Sequence, residues 1–87
     1  VNPDYVQAQI ALGYCYKEIG NFDAAKAVFE RLVAKEANHP EAFYQLGLLL
    51  GEEGDLDRSI VLIEKALALK PGLEGAEKAL ERFRKNR

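Results

Sequence analysis

Apolar and small residues recur along the chain at intervals of three and four residues, the spacing that places side chains on one face of an α-helix. Four such stripes follow one another, and they comprise Gln9, Leu12, Gly13 and Tyr16; Phe22, Ala25, Phe29 and Leu32; Phe43, Leu46, Gly47 and Leu50; and Leu56, Ser59, Ile63 and Ala66. A fifth stripe comprises Leu73, Ala76, Ala79, Leu80 and Phe83. The pattern predicts an all-α chain with helices near residues 5–19, 22–36, 40–53, 56–69 and 73–85.

Glycine, Asx and proline residues separate these stripes. Gly20 and Gly54 can adopt the positive φ that ends a helix, and the residue after each, Asn21 or Asp55, can cap the helix that follows. Pro40 suits the first position of a helix, where no amide hydrogen bond is lost. The predicted turns therefore fall between the predicted helices.

The sequence repeats itself with a period of 34 residues, so that position 6 corresponds to position 40. This repeat shift superimposes residues 12–13 on 46–47 and Gly20 on Gly54, and it mostly keeps large residues on large ones and small on small. Such self-similarity is typical of repeat proteins. The prediction is a single domain, 1–87, made of repeats 6–39 and 40–73 and a final segment, 74–87.

The repeat resembles the tetratricopeptide repeat, whose 34-residue pattern is W-x2-L-G-x2-Y, then A-x3-F, then P. The corresponding residues are Gln9, Leu12, Gly13, Tyr16, Ala25 and Phe29 in the first unit, and Phe43, Leu46, Gly47, Leu50, Ser59, Ile63 and Pro71 in the second. Gln9 in place of tryptophan and Ser59 in place of alanine are departures. The resemblance covers the whole chain and implies a right-handed solenoid of helical hairpins, closed by a C-terminal capping helix.

The same resemblance implies a scaffold or adaptor that binds a peptide or helix of a partner protein. In this family the partner lies along the concave surface, which is lined by the first helix of each repeat. The partner's identity stays open. The alternative is a structural or self-associating segment of a longer array, because the front of helix 5–19 would be left uncovered and could pair with another copy.

The first helices carry more apolar residues than one core stripe needs. Ile10 and Tyr14 correspond to Tyr44 and Leu48 after the repeat shift, so the four lie side by side on the predicted concave wall. Two interpretations stay open: these side chains pack against neighbouring helices, or they form an exposed apolar patch for a peptide anchor. On the second, the predicted peptide-binding residues are Gln7, Ile10, Ala11, Tyr14, Lys17, Glu41, Tyr44, Gln45 and Leu48.

A carboxylate clamp is not expected, although some members of the family use one to bind the C-terminal carboxylate of chaperones. The positions that would supply its lysine, asparagine and arginine side chains hold Ile10, Tyr14, Gln45, Gly75 and Ala79. The contact with a partner is therefore predicted to be more apolar than ionic.

Charge and composition disfavour several other classes of protein. The 87 residues carry 12 Lys and Arg against 14 Asp and Glu, a formal net charge of −2. The chain therefore has no overall positive charge that would attract nucleic acid or an anionic membrane. No run of about 18 apolar residues predicts membrane insertion. The lone Cys15 and His39 disfavour a disulfide scaffold and the usual zinc site. Without a phosphate loop, metal motif or nucleophile elbow, the sequence predicts no cofactor and no enzyme activity, and favours a soluble, cytoplasmic protein.

Three further expectations concern Cys15, Gly51 and the basic residues near the C-terminus. Cys15 is expected to be a buried, inert thiol beside the core face. Gly51 is expected to face the groove beside Leu48. The basic residues near the C-terminus are expected to be solvated charges that favour the dipole of the capping helix; they are Arg82, Arg84, Lys85 and Arg87.

Overall fold

The computed structural model describes residues 3–35 and 38–87, which form five α-helices and no strand. The helices are α1 (Pro3–Glu18), α2 (Phe22–Lys35), α3 (Pro40–Glu52), α4 (Leu56–Leu69) and α5 (Ala76–Lys85). The all-α prediction is confirmed, and α2, α3 and α4 begin at the predicted residues. Residue 36, the predicted end of the second helix, lies outside the described residues.

The fifth helix begins later than predicted, at Ala76. Residues 70–75 form a turn, in which the amide of Leu73 donates to the carbonyl of Lys70 at 3.1 Å. Gly75 then takes a φ of 82° directly before the helix, a left-handed conformation that glycine adopts readily. Leu73 is only 9% exposed, so its side chain joins the core although its backbone belongs to the turn.

Each helical hairpin closes on the same kind of turn. Gly20 and Gly54 have φ of 82° and 96°, and the amide of the residue after each glycine donates at 2.9 Å to a carbonyl five residues back. A positive-φ glycine makes this bond possible at the C-terminus of a helix. The side chains of Asn21 and Asp55 then accept the amide three residues further on, at 3.3 and 3.4 Å. The predicted turn chemistry is confirmed in both hairpins.

Within each hairpin, a glycine on the first helix receives a large side chain from the second. A methyl group on Gly13 would lie 2.8 Å from Cε2 of Phe29, and one on Gly47 would lie 2.7 Å from Cγ1 of Ile63. Ser59, which replaces the alanine of the repeat pattern, donates its buried hydroxyl to the carbonyl of Gly47 at 2.7 Å. Close approach of the two helices thus holds each hairpin together.

The hairpins and α5 form a stack, with α3 in its middle in contact with α2, α4 and α5. Two apolar clusters result: one joins α1 and α2 to α3, and the other joins α3 and α4 to α5. Eight of the thirteen residues of α3 are buried. The molecule is therefore a short solenoid of helices without a single central core.

Two expectations of burial on α1 are wrong. Cys15 is exposed, and Leu12, which the pattern places on the core stripe, is 39% exposed. Their counterparts after the repeat shift, Leu46 and Leu49, are 2% and 4% exposed, because α3 packs against α2 on one side and α4 on the other. Among the described residues, α1 has only α2 as a major neighbour, so the face of α1 that carries Leu12 and Cys15 stays exposed.

Gly51 does not face the groove, contrary to expectation. The residue is buried, and a methyl group on it would lie 2.5 Å from Cε2 and 2.6 Å from Cε1 of Phe83 on α5. The glycine therefore allows α5 to approach α3, much as Gly13 allows α2 to approach α1. This contact accounts for a glycine in the interior of a helix, where it costs about 1 kcal/mol relative to alanine.

The basic residues at the C-terminal end are exposed but paired. Each forms a salt bridge with a carboxylate, and the pairs are Arg82 with Glu52, Arg84 with Glu64, Lys85 with Glu81, and Arg87 with Asp57. Exposed pairs of this kind contribute only about 0–1 kcal/mol each. The attachment of α5 therefore rests mainly on its buried side, which includes Ala76, Leu80 and Phe83.

Candidate partner-binding surface

The nine predicted partner-binding residues lie on α1 and α3 and differ widely in exposure. Those exposed are Gln7 and Ala11; those half-buried are Tyr14, Lys17, Glu41, Tyr44 and Leu48; and those buried are Ile10 and Gln45. A partner can reach only the first two groups directly.

Ile10 is a core residue. Its side chain is 5% exposed and belongs to the cluster that joins α1 and α2 to α3. It follows Val6 by four residues and precedes Gly13 by three, so these positions share one face of the helix. The interpretation of Ile10 as part of an exposed patch is wrong, because this face of α1 is the one that the stack buries.

A polar bridge, formed by Tyr14, Lys17, Glu41 and Gln45, connects α1 to α3. The hydroxyl of Tyr14 donates to the carboxylate of Glu41. The amide of Gln45 donates to the Tyr14 oxygen at 3.1 Å and to the Glu41 carboxylate at 3.3 Å, and its carbonyl accepts from Lys17 at 3.2 Å. Gln45 is 5% exposed, and these bonds satisfy its buried amide. The polar bridge closes the α1–α3 part of the concave surface.

Both tyrosines of the concave surface are held in their neutral form. Burial raises the pKa of Tyr14, and the hydrogen bond to the Glu41 carboxylate raises it further. Burial also raises the pKa of Tyr44, with a further increase from the charge of Glu41. The unshifted pKa of tyrosine is already about 10. Near neutral pH these hydroxyls therefore act as uncharged hydrogen-bonding groups.

A cleft remains open between α3 and α5. This α3–α5 cleft has a volume of about 250 Å³, and its lining residues are Tyr44, Leu48, Gly75, Lys78, Ala79 and Arg82. Gly75 keeps it open beside Tyr44, because a methyl group at Gly75 would lie 2.7 Å from the Tyr44 hydroxyl. The floor is aromatic and aliphatic, whereas the α5 side carries two cations.

Leu48 also lines a larger cleft on its other side. This end cleft, of about 720 Å³, lies between the α1–α2 turn and the end of α3, and its lining residues are Lys17, Gly20, Asn21, Phe22, Asp23, Leu48, Leu49, Glu52 and Glu53. Salt bridges already use two of its three carboxylates, since Glu53 pairs with Lys26 and Glu52 pairs with Arg82. Leu48 therefore lies at the junction of two concave spaces.

Lys78 and Arg82 were not predicted to line the concave surface. The signal was present, because the repeat shift that relates the two repeats also places Tyr44 on Lys78 and Leu48 on Arg82. Arg82 pairs with Glu52 and lies 4.6 Å from the centre of the Phe83 ring. Lys78 forms no salt bridge with any residue that the structure describes. It is the free cation at the edge of the α3–α5 cleft, within the described chain.

The described residues contain neither a metal-ligand cluster nor a membrane span. No three His, Cys, Asp or Glu side chains in 3–35 and 38–87 are grouped so that they could hold a metal ion. Over the same ranges, no helix has the length and apolar character needed to cross a membrane.

Both family models that match this chain describe the same family. A family model described as tetratricopeptide repeat matches residues 1–47, and a second model of the same description matches residues 40–72. The crystal structure of MamA is similar to 93% of this chain, with a TM-score of 0.84 and 27% sequence identity. The match covers 47% of the MamA chain, so this chain spans about half of that protein's length.

Proposed function

The chain belongs to the tetratricopeptide repeat family, and on that premise we propose that it is a protein-interaction module which binds a peptide or helix of a partner in its concave α3–α5 cleft. Proteins of this family are generally scaffolds without catalytic activity, and we extend that description to this chain. The observation that carries the proposal is the position of Leu48, half-buried between two clefts and beside Tyr44. A cytoplasmic location stays a prediction.

The α3–α5 cleft supports an apolar anchor as the central contact. It is an open cleft of about 250 Å³, and we expect it to hold an aromatic or branched aliphatic side chain of the partner. Tyr44 and Leu48 would contact such a ring or branched aliphatic side chain, and interface energy concentrates in a few contacts of this kind. The concave surface between α1 and α3 offers less room for a ligand, because the side chains of the polar bridge occupy it.

Lys78 supports a second element of recognition. Because its ammonium group has no salt-bridge partner among the described residues, an acidic residue next to the anchor would gain a charge-assisted hydrogen bond. Lys78 does not occupy a clamp position, since those on α5 hold Gly75 and Ala79. The expected ligand is therefore a peptide with an aromatic or aliphatic anchor and an adjacent carboxylate.

The substitution Leu48→Ala is expected to weaken binding of such a peptide about tenfold or more, which corresponds to about 1.4 kcal/mol. The probe is a set of random-sequence peptides selected by display on the wild-type chain, and the measurement is isothermal titration calorimetry. Because Leu48 is only half-buried, the free energy of unfolding should fall by less than the roughly 2–5 kcal/mol of a fully buried site.

The matched control is Val61→Ala. Val61 is 64% exposed on α4 and lines a different groove, between α2 and α4, so its truncation should leave the affinity unchanged. Peptides that bind Leu48→Ala as tightly as wild type, but lose affinity for Val61→Ala, would move the binding surface to the α2–α4 groove and refute the proposal.

Self-association is the second candidate function. It is favoured by the uncovered side of α1, where Leu12 is 39% and Ile19 is 76% exposed. The counterparts of Leu12 after one and two repeat shifts, Leu46 on α3 and Leu80 on α5, are buried. On α1, Leu12 would lose its contact with water only against another molecule or another segment.

A further inference from the structure

The end cleft contains an aromatic side chain that the packing of the helices leaves exposed. Phe22 is 51% exposed, and it lines this cleft of about 720 Å³ together with Leu48. Its counterpart after the repeat shift, Leu56, is half-buried and packs against the cluster that joins α3 and α4 to α5. A ligand in the end cleft would therefore contact both the Phe22 ring and Leu48.

The charged residues that line the end cleft are mostly carboxylates. They are Lys17, Asp23, Glu52 and Glu53. Lys17 donates to Gln45 within the polar bridge, and the salt bridges described above use both glutamates. Asp23 forms no salt bridge with any residue in the described ranges. The hydrogen bond to Glu53 raises the pKa of Lys26, and the charge of Asp23 raises it further. Asp23 thus shares a lysine that Glu53 already binds, and a second cation would be stabilised beside it.

The two clefts that meet at Leu48 carry charges of opposite sign. Lys78 and Arg82, the charged residues that line the α3–α5 cleft, are both cations. Arg82 pairs with Glu52 of the end cleft. This pair leaves Lys78 on one side of Leu48 and Asp23 on the other. A peptide that crosses Leu48 therefore meets a cation on one side and a carboxylate on the other.

Other charges lie near the two clefts without lining them. Besides burial, the charges of Glu41 and Glu74 raise the pKa of Tyr44, whereas the charge of Arg82 lowers it. Glu18, the exposed residue after Lys17, adds a further carboxylate at the end of α1. A carboxylate of the partner is therefore expected on the Lys78 side of the α3–α5 cleft, and a cation is expected in the end cleft.

An arginine side chain suits the end cleft especially well. Its guanidinium group stacks on an aromatic ring and pairs with a carboxylate, and its apolar stem lies well on an apolar surface. Phe22 and Asp23 are neighbours in the first turn of α2, and both line the cleft. Leu48 supplies apolar surface on the opposite wall, which belongs to α3.

We propose that the end cleft is a second subsite for the same partner, and that it binds a basic side chain, arginine above all. This inference rests on the proposed function, because it places the apolar anchor of the peptide in the adjoining α3–α5 cleft. It specifies the partner as a segment with an acidic residue on one side of its anchor and a basic residue on the other. Since exposed ion pairs are weak, the subsite is expected to set specificity and orientation more than affinity.

Asp23 also has a structural role that the test must separate from binding. A carboxylate in the first turn of a helix is stabilised by the helix dipole. Asp57 holds the same position in the first turn of α4 after the repeat shift, but it lines the α2–α4 groove. Asp57→Asn is therefore the matched control for Asp23→Asn, because both remove a carboxylate from the same position of a helix.

Calorimetric titration of the 87-residue chain with the display-selected peptides tests the proposal, at low ionic strength because salt screens exposed charges. The peptides whose affinity depends on Leu48 should carry an arginine or a lysine beside the anchor. Asp23→Asn should raise their dissociation constant about three- to fivefold, toward the upper end for an exposed ion pair, and Asp57→Asn should leave it unchanged. Phe22→Ala should also weaken binding.

A glutamine in place of the peptide's basic residue should weaken binding as much as Asp23→Asn does, and the two changes together should cost no more than either alone. Leu48-dependent peptides that bind Asp23→Asn as tightly as wild type, or that lose equal affinity for Asp57→Asn, would overturn the basic subsite and leave the proposed function in place. Selected peptides whose affinity does not depend on Leu48 would overturn both.

Discussion

Phe29→Ala is expected to lower the free energy of unfolding by about 3–5 kcal/mol, the range for removing a fully buried phenylalanine. The Phe29 ring is 0% exposed, lies against Gly13 and meets the ring of Tyr14 edge-on at 6.3 Å. The gap left by the ring lies between two helical backbones, so neighbouring side chains can fill it only in part. Such a loss is a large share of the total stability of a small domain.

The control for this prediction is Phe22→Ala, which removes the same side chain from a site that is 51% exposed. Urea denaturation followed by circular dichroism should give a loss below about 1 kcal/mol for this variant. Equal losses for the two variants would mean that Phe29 does not hold the α1–α2 hairpin together.

Gly51→Ala is expected to destabilise the chain by about 1–3 kcal/mol, the usual cost of overpacking a filled core. Alanine should gain about 1 kcal/mol in helix propensity, but its methyl group would overlap the Phe83 ring. The ring must then move away, and α5 with it. Because α5 supplies one wall of the α3–α5 cleft, peptide affinity should fall together with stability.

Two companion variants isolate this contact. Gly72→Ala adds a methyl group where nothing lies within 4 Å, and should change stability little. Phe83→Leu in the Gly51→Ala background should recover part of the loss, and the double-mutant cycle should give a coupling energy of about 0.5–3 kcal/mol. Strictly additive effects of the two substitutions would contradict the proposed contact.

The helices and turns could be predicted from the sequence because they depend on neighbouring residues. Gly20 and Gly54 set the backbone that ends a helix, and Asn21 and Asp55 cap the next one, whatever lies elsewhere in the chain. The repeat pattern likewise placed Gly13 and Phe29 on the stripes of two consecutive helices, and the structure brings them into contact.

The binding surface was harder to predict because exposure depends on neighbours that no local pattern specifies. Leu12 and Leu46 occupy the same register, yet among the described residues only Leu46 has a preceding helix, α2, packed over it. Gly51 could be placed against Phe83 only once the position of α5 was known. The polar bridge joins residues 27 to 31 positions apart, such as Tyr14 and Gln45, and depends on side-chain geometry between α1 and α3.

The most direct test of the central claim, that a partner binds beside Leu48 in the α3–α5 cleft, is an NMR titration of the ¹⁵N-labelled chain with a display-selected peptide. The predicted result is that the largest amide shifts fall on the cleft residues, which are Tyr44, Leu48, Lys78, Ala79 and Arg82, while Val61 on α4 and Leu12 on α1 stay unchanged. Shifts concentrated at Val61 or at Leu12, with the cleft unperturbed, would contradict the account.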